Sequence, residues 1–483
     1  MNRYLLLLAA MILATGSLFA QLTLIDVIEQ AKAQSPMAKA AETRKKNSYW
    51  EYRRFRADYN PTLQLYGNLP GYNRDFFENR LDDGQIDFQS RQQISSALSL
   101  GLFQPIALTG GNISVNSRVN QFNDLSQDLT RYNTTLFNIE LEQPVFGFNN
   151  LKWDKRTEPL RYEESKRSFV EEMESISKEA TRRYFDYLDA QINLQIAEFN
   201  LANNDTIYRI EEGRYNIGKT TRDKLLQVEL QLLQSRQDVT QAQLDMQTSR
   251  LSLRRYIGLQ DSSNVKLELV MPAELPKFAI PLSDALTYAK QNRSDYLAYE
   301  RRKIEANRDV ARAKSQRFRT EIQASFGLND AEPVLSETYS QPNQQQRLNV
   351  TLSMPVLDWG RSKARVQTAL ANQELASYSL AQDIQNFEQE IMTLVSRFEV
   401  LRLQVEITKK SDEVAQERYL VTQNRYLIGK IDITNLNIAL KEKDSAKRNY
   451  IRALREFWIA YFDLRRLTLY DFLNDELLYQ QEG

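Results

Sequence analysis

Acid–base, nucleophilic and metal chemistry draw on a short list of side chains, and this sequence lacks two of them. It contains no histidine and no cysteine. That removes the commonest general base, the commonest metal ligand and the thiolate nucleophile, so no catalytic residue, cofactor or metal is expected. Carboxylates remain: Glu140 and Glu142 stand two apart and could serve a hydrolase. They alternate with Ile139 and Leu141, however, which places both on the wet face of a strand. Lys and Arg together number 63, as do Asp and Glu; with no basic excess, nucleic acid is not an expected partner. The remaining feature of note is a pair of turns, Tyr215-Asn216-Ile217-Gly218-Lys219 and Tyr426-Leu427-Ile428-Gly429-Lys430. Each glycine falls where a helix must reverse and the backbone needs positive φ. The reversal exposes Ile217, Lys219, Ile428 and Lys430.

The elements that carry these turns are long. Only 15 Gly and 12 Pro occur in 483 residues, few punctuators for a chain of this size. Residues 1–20 read as a secretory signal peptide: Arg3, an apolar run from Tyr4 to Ala14, and Leu18-Phe19-Ala20 before Gln21. With no cysteine, neither lipidation at the cut nor a disulfide framework is available. Beyond the signal no stretch approaches the roughly 20 apolar residues of a membrane-spanning helix; if the chain enters a membrane, it does so with strands.

The sequence repeats itself. Asn138-Ile139-Glu140-Leu141-Glu142-Gln143-Pro144-Val145 matches Asn349-Val350-Thr351-Leu352-Ser353-Met354-Pro355-Val356, and the turn at Arg214 matches that at Arg425, so both matches share one offset (349 − 138 = 425 − 214 = 211). The copies also begin alike, Leu24, Asp26, Ala31 and Lys32 answering Leu282, Asp284, Ala289 and Lys290. This organisation predicts a first repeat at 21–260, a linker at 261–281 holding Pro272, Pro276 and Pro281, a second repeat at 282–475 and a tail at 476–483.

Each repeat reads helix, strands, long helix, turn, long helix. Ile322, Ala324, Phe326 and Leu328, and again Leu348, Val350 and Leu352, alternate with polar residues, as do Leu63, Leu65, Phe137, Ile139 and Leu141. Polar loops are expected at Gly71 to Gln93 and Asn329 to Gln345. A further alternation over Ser96 to Asn120 exists in the first copy alone, giving about four strands per subunit or six. Runs from about Asn149 to Tyr215 and from Arg361 to Leu427 predict helices of roughly 100 Å. The helices after them show heptads: Leu225, Leu232, Val239, Met246 and Leu253; Ala439, Ala446, Ala453 and Ala460.

This duplicated plan, with Gln143-Pro144-Val145-Phe146 and Met354-Pro355-Val356-Leu357-Asp358-Trp359-Gly360 at the strand-to-helix junctions and the paired glycine turns, resembles the TolC family of outer-membrane efflux proteins over essentially the whole mature chain. The resemblance implies an α+β membrane protein: a trimeric outer-membrane β-barrel continued by a long α-helical coiled-coil periplasmic tunnel, built from two internal repeats. It implies a passive duct for an inner-membrane pump of the RND or ABC type, outer-membrane lipid around the barrel, and a periplasmic adaptor engaging the hairpin tips at Tyr215, Ile217, Gly218, Lys219, Tyr426, Ile428, Gly429 and Lys430. In the family, acidic residues often stand six and nine positions after the second turn glycine and six after the first; here those places hold Asn435, Ile438 and Lys224, with Asp432 nearer the turn. A strongly cation-selective periplasmic mouth is therefore not expected. The competing expectation is a structural coiled-coil protein of the periplasm or surface without a pore.

Overall fold

The computed structural model describes residues 20–80, 84–259, 267–272, 275 and 278–479. The signal peptide, apart from Ala20, part of the expected linker and the last four residues of the tail lie outside the described residues.

The two halves build matching helices. They are α1 (Leu24–Gln34) and α5 (Leu282–Asn292), of 11 residues each; α2 (Pro36–Ala57) and α6 (Ser294–Ser315), of 22; α3 (Asn150–Asn216) and α7 (Arg361–Leu427), of 67; and α4 (Arg222–Tyr256) and α8 (Ile433–Thr468), of 35 and 36. Local signals set several boundaries. Thr23 and Asp26 form a reciprocal capping box that starts α1, and the Asp358 carboxylate accepts from the backbone N–H of Ser362 at 2.8 Å to start α7. Among the described residues no helix is long and apolar enough to cross a membrane.

In space the chain divides into two compact units, each drawing on both repeats: residues 47–163 with 297–383, and the remainder. The first unit holds one antiparallel sheet in the order β2 (Thr62–Arg80), β3 (Ile86–Ile106), β4 (Gly111–Asp124), β5 (Leu129–Pro144), β7 (Arg319–Glu332) and β8 (Asn343–Ser353). There are six strands, not four, because the alternation over Ser96 to Asn120 supplies most of β3 and β4. One face is apolar and open, with Leu65, Leu100, Val115, Leu348 and Val350 exposed. The other carries Glu140 opposite Ser114 and Ser325, and Glu142 opposite Asn112 and Gln323.

The expected polar loops are mostly strand. The ladder of β2 with β3 continues from Gly71 opposite Ser95 to Arg80 opposite Ile86, and residues 329–332 and 343–345 belong to β7 and β8. Alternation of polarity reports a strand only where one face leaves water. This ribbon carries polar residues on both faces and is held by its backbone bonds.

The second unit is helical. Tyr184, Phe185, Tyr187, Phe398 and Phe457 are fully buried in its core, and the four alanines of the α8 heptad are all buried, which lets helix backbones approach closely. Within the expected linker Leu267–Leu269 forms β6, pairing in parallel with β1 (Ala20–Leu22); β9 (Tyr470–Asp471) pairs with β10 (Glu476–Leu477). A buried ion cluster locks the end of α8: Arg465 contacts Glu174 at 2.8 Å and Asp471 at 2.6 Å, Lys32 reaches Glu174 at 2.7 Å, and the Tyr461 hydroxyl donates to Asp471 at 2.6 Å.

Candidate functional site

Both long helices end in the same backbone device. At the first turn the N–H of Gly218 donates to Tyr215 O at 2.9 Å and that of Lys219 to Arg214 O at 2.8 Å; at the second, Gly429 donates to Tyr426 O at 2.9 Å and Lys430 to Arg425 O at 2.9 Å. These are Schellman closures, and Gly218 and Gly429 both have φ of 74°. Thr221 then caps α4 and Asp432 caps α8. The reversal leaves Ile217 and Ile428 at 68% and 66% exposure, with Lys219 and Lys430 exposed beside them.

Below the turns the four helices share a small core of Ile207 from α3, Val228 from α4, Tyr419 and Tyr426 from α7, and Ile433, Leu436, Ala439 and Leu440 from α8. Tyr426 departs from the expected docking set here. It is only 2% exposed, its hydroxyl donating to Glu211 at 2.7 Å, so it serves the packing of the tip and cannot offer a face to another protein. Tyr215, its counterpart across the repeat, is 38% exposed. The difference arises one helical turn earlier, where Glu211 in the first copy corresponds to Thr422 in the second (211 + 211 = 422). Glu211 also accepts from Arg214 at 2.7 Å, whose guanidinium lies over the Tyr426 ring. Burial pushes the Glu211 carboxyl up, but the bonds from Tyr426, Arg214 and Thr220 outweigh it and hold it below its ordinary value. The Tyr426 hydroxyl is pushed upward by burial and by the carboxylate it faces.

The aperture candidates lie in the first turns of α4 and α8. Lys224 and Asp432 are half-exposed and 3.9 Å apart, while Asn435 and Ile438 are exposed on α8. The cation thus stands beside a carboxylate of its own chain across the two hairpins, with Asp223 preceding it on α4. Among the described residues no group of three or more carboxylates gathers as a metal site. Sequence reasoning missed Glu211 and Arg214. The available signal was that the two copies match from the arginine onward and diverge just before it.

The family described as outer membrane efflux protein matches residues 27–259 and 286–468. The cation efflux system protein CusC of Escherichia coli K12 is 23% identical over 281 residues, 57% of this chain and 59% of the relative; the match therefore spans less than two thirds of that protein's length. Among solved structures, the outer membrane channel CmeC of Campylobacter jejuni superposes with a TM-score of 0.67 at 14% identity, covering 92% of this chain and 85% of that one. VceC of Vibrio cholerae gives 0.65 at 15%, covering 92% and 95%, and the open state of the MtrE channel of Neisseria gonorrhoeae gives 0.61 at 16%, covering 92% and 88%. The fold is that of outer-membrane channels, in which a β-barrel is continued by a helical tunnel. With the family matched over both repeats and the fold over nearly the whole chain, this is an outer-membrane protein and a member of the outer membrane efflux protein family.

Proposed function

We propose that three copies assemble into a passive duct, closed as one barrel in the outer membrane and docked through the hairpin ends to a periplasmic adaptor that links it to an inner-membrane pump. The observation that carries this reading is the sheet, whose apolar face is open and whose edge strands, β2 and β8, each pair on one side alone among the described residues. Lipid tolerates no open sheet edge, and six strands fall short of the roughly eight of the smallest barrels, so copies must join edge to edge. A coiled-coil rod without a pore has no use for such a face. Glu140 and Glu142 then line water as part of the wall, and the protein conducts cargo without transforming it. Specificity belongs to the pump, of the RND or ABC type, and the adaptor surface is Ile217, Lys219, Ile428 and Lys430 with Tyr215 at its edge.

Reconstitution into planar bilayers with mass measurement in detergent tests this. The expected result is a stable threefold complex that conducts. A monomer that inserts and conducts, or a protein soluble without detergent, would sink the reading.

A further inference from the structure

The strands β3 and β4 have no counterpart in the second repeat, yet they are continuous members of the sheet. The same rows cross all six strands. On one face Thr62, Phe103, Ser114, Glu140, Ser325 and Arg347 stand opposite one another in turn, polar but for Phe103, and on the other Leu63, Leu102, Val115, Ile139, Phe326 and Gln346 do the same, apolar on every strand but β8. The extra pair therefore keeps the in-and-out alternation of its neighbours on both sides. A surface elaboration standing in water has no reason to keep Leu100 and Leu102 exposed opposite Leu65 and Leu63.

The inner end of the pair is also built in. β2 and β7 follow helices α2 and α6, and β5 and β8 lead into α3 and α7, whereas β3 and β4 are joined to each other by the turn at residues 107–110. The Asn149 amide donates to Ala107 O at 2.9 Å and Leu108 O at 3.3 Å, while its carbonyl oxygen accepts from Lys152 N at 3.0 Å and caps α3. The Thr109 hydroxyl donates to Gln143 Oε1 at 2.7 Å. Gly110, at φ 76°, lies against Asn149. One asparagine thus fastens the extra turn to the start of a long helix.

We infer that β3 and β4 are part of the membrane wall, so that three copies close a barrel of eighteen strands in place of the twelve that four strands per chain would give. This rests on the trimeric reading above. An even number of strands per chain puts β2 and β8 in opposite directions, which lets each edge pair antiparallel with the next copy's opposite edge. With strands about 4.8 Å apart and tilted about 40°, eighteen strands enclose a backbone diameter of about 36 Å, against about 24 Å for twelve. Barrels of 16–18 strands leave an aqueous channel, and an α-helix with its side chains is about 10–12 Å across. The barrel then exerts no size selection on small molecules, and its cargo class extends to amphiphiles and polypeptide segments as wide as a helix.

The test uses the full-length protein in lipid nanodiscs. Native mass gives the number of copies, and electron cryomicroscopy sections through the barrel give the number of strands. Because the chain has no cysteine, Leu100→Cys and Asn112→Cys each take a single fluorescent label. Three copies, eighteen strands, quenching of the residue-100 label by a lipid-borne quencher and of the residue-112 label by an aqueous one are expected. Three copies with twelve strands, and a residue-100 label reached only from water, overturn the inference while leaving the trimer intact. A different copy number with six strands each overturns the count of eighteen through the trimer reading, and the residue-100 label then shows separately that the pair is wall.

Discussion

The Tyr426 hydroxyl donates a 2.7 Å hydrogen bond to the carboxylate of Glu211, and both side chains are buried although 215 residues separate them in the chain. It ties the end of α7 to the end of α3 at the turns of both hairpins. A hydrogen bond to a charged group contributes about 1.5–3 kcal/mol, and the partner left behind keeps its desolvation cost. Tyr426→Phe removes the bond while keeping the ring in its core. In the assembled duct this variant is expected to raise the open fraction of single channels roughly tenfold or more in planar bilayers; openings indistinguishable from the parent would show that the bond does not restrain the tip.

The same bond sets a pH dependence. Glu211 sits below its ordinary value of 4.5 in the folded protein. A depressed carboxyl adds stability that is present above the unfolded value and lost as pH falls through the folded one. Protection of the tip amides, taken relative to their intrinsic exchange at each pH, is therefore expected to fall only as pH drops below about 4.5, and Glu211→Gln is expected to flatten that step. A profile identical in the variant would assign the change to other carboxylates.

Docking at the turns gives a prediction separable from folding. Ile217 and Ile428 are exposed, so Ile217→Glu with Ile428→Glu is expected to leave the proposed trimer in the membrane. An interface anchor is worth about 2 kcal/mol, roughly a 30-fold loss of adaptor affinity. Export in cells is expected to fall to background with membrane levels unchanged; normal export would remove these residues from the adaptor surface.

Lys224 and Asp432 predict weak ion selectivity for the parent channel. Asp432→Asn keeps a side-chain cap for α8 but removes the carboxylate opposite Lys224, and in the proposed trimer three such cations around one mouth would make its potential more positive. The reversal potential under a salt gradient is expected to move toward anions. Marked cation selectivity surviving the change would point to acidic residues elsewhere.

The ion cluster at the end of α8 is a matter of stability alone. Glu174 and Asp471 are buried against Arg465, and removing one partner of a buried cluster costs about 3–5 kcal/mol. Arg465→Met is expected to lower the unfolding temperature in detergent sharply. Arg44→Met, which breaks an exposed pair with Glu172, is expected to cost under about 1 kcal/mol.

Much of this architecture is legible in the residues. The long helices begin and end within a residue or so of where proline, glycine and the 211-residue offset put them, because helix termini are local chemistry. The glycine turns are legible for the same reason. The ribbon from Gly71 to Gln93 is not, since neither face is apolar and the pairing is carried by backbone groups that every residue shares. Nor is the burial of Tyr426 against the exposure of Tyr215: two similar local contexts differ in their contacts, Tyr426 meeting Glu211 across 215 residues of chain, which has no periodic signature. The pairing of β1 with β6 depends on three residues at each place, too few to carry a pattern.

The repeat gives the chain two turns of one shape, tied to each other by Tyr426 on Glu211 and by Lys224 beside Asp432. Had both halves kept a glutamate before the turn, each tip would have locked the other in a balanced pair. With Thr422 in place of the second glutamate, the restraint is one-sided. The bond from Tyr426 to Glu211 has one end on each hairpin, so a ligand that draws the turns apart loads Tyr426 and Glu211 together, and the asymmetry lies in which hairpin supplies the donor and which the carboxylate.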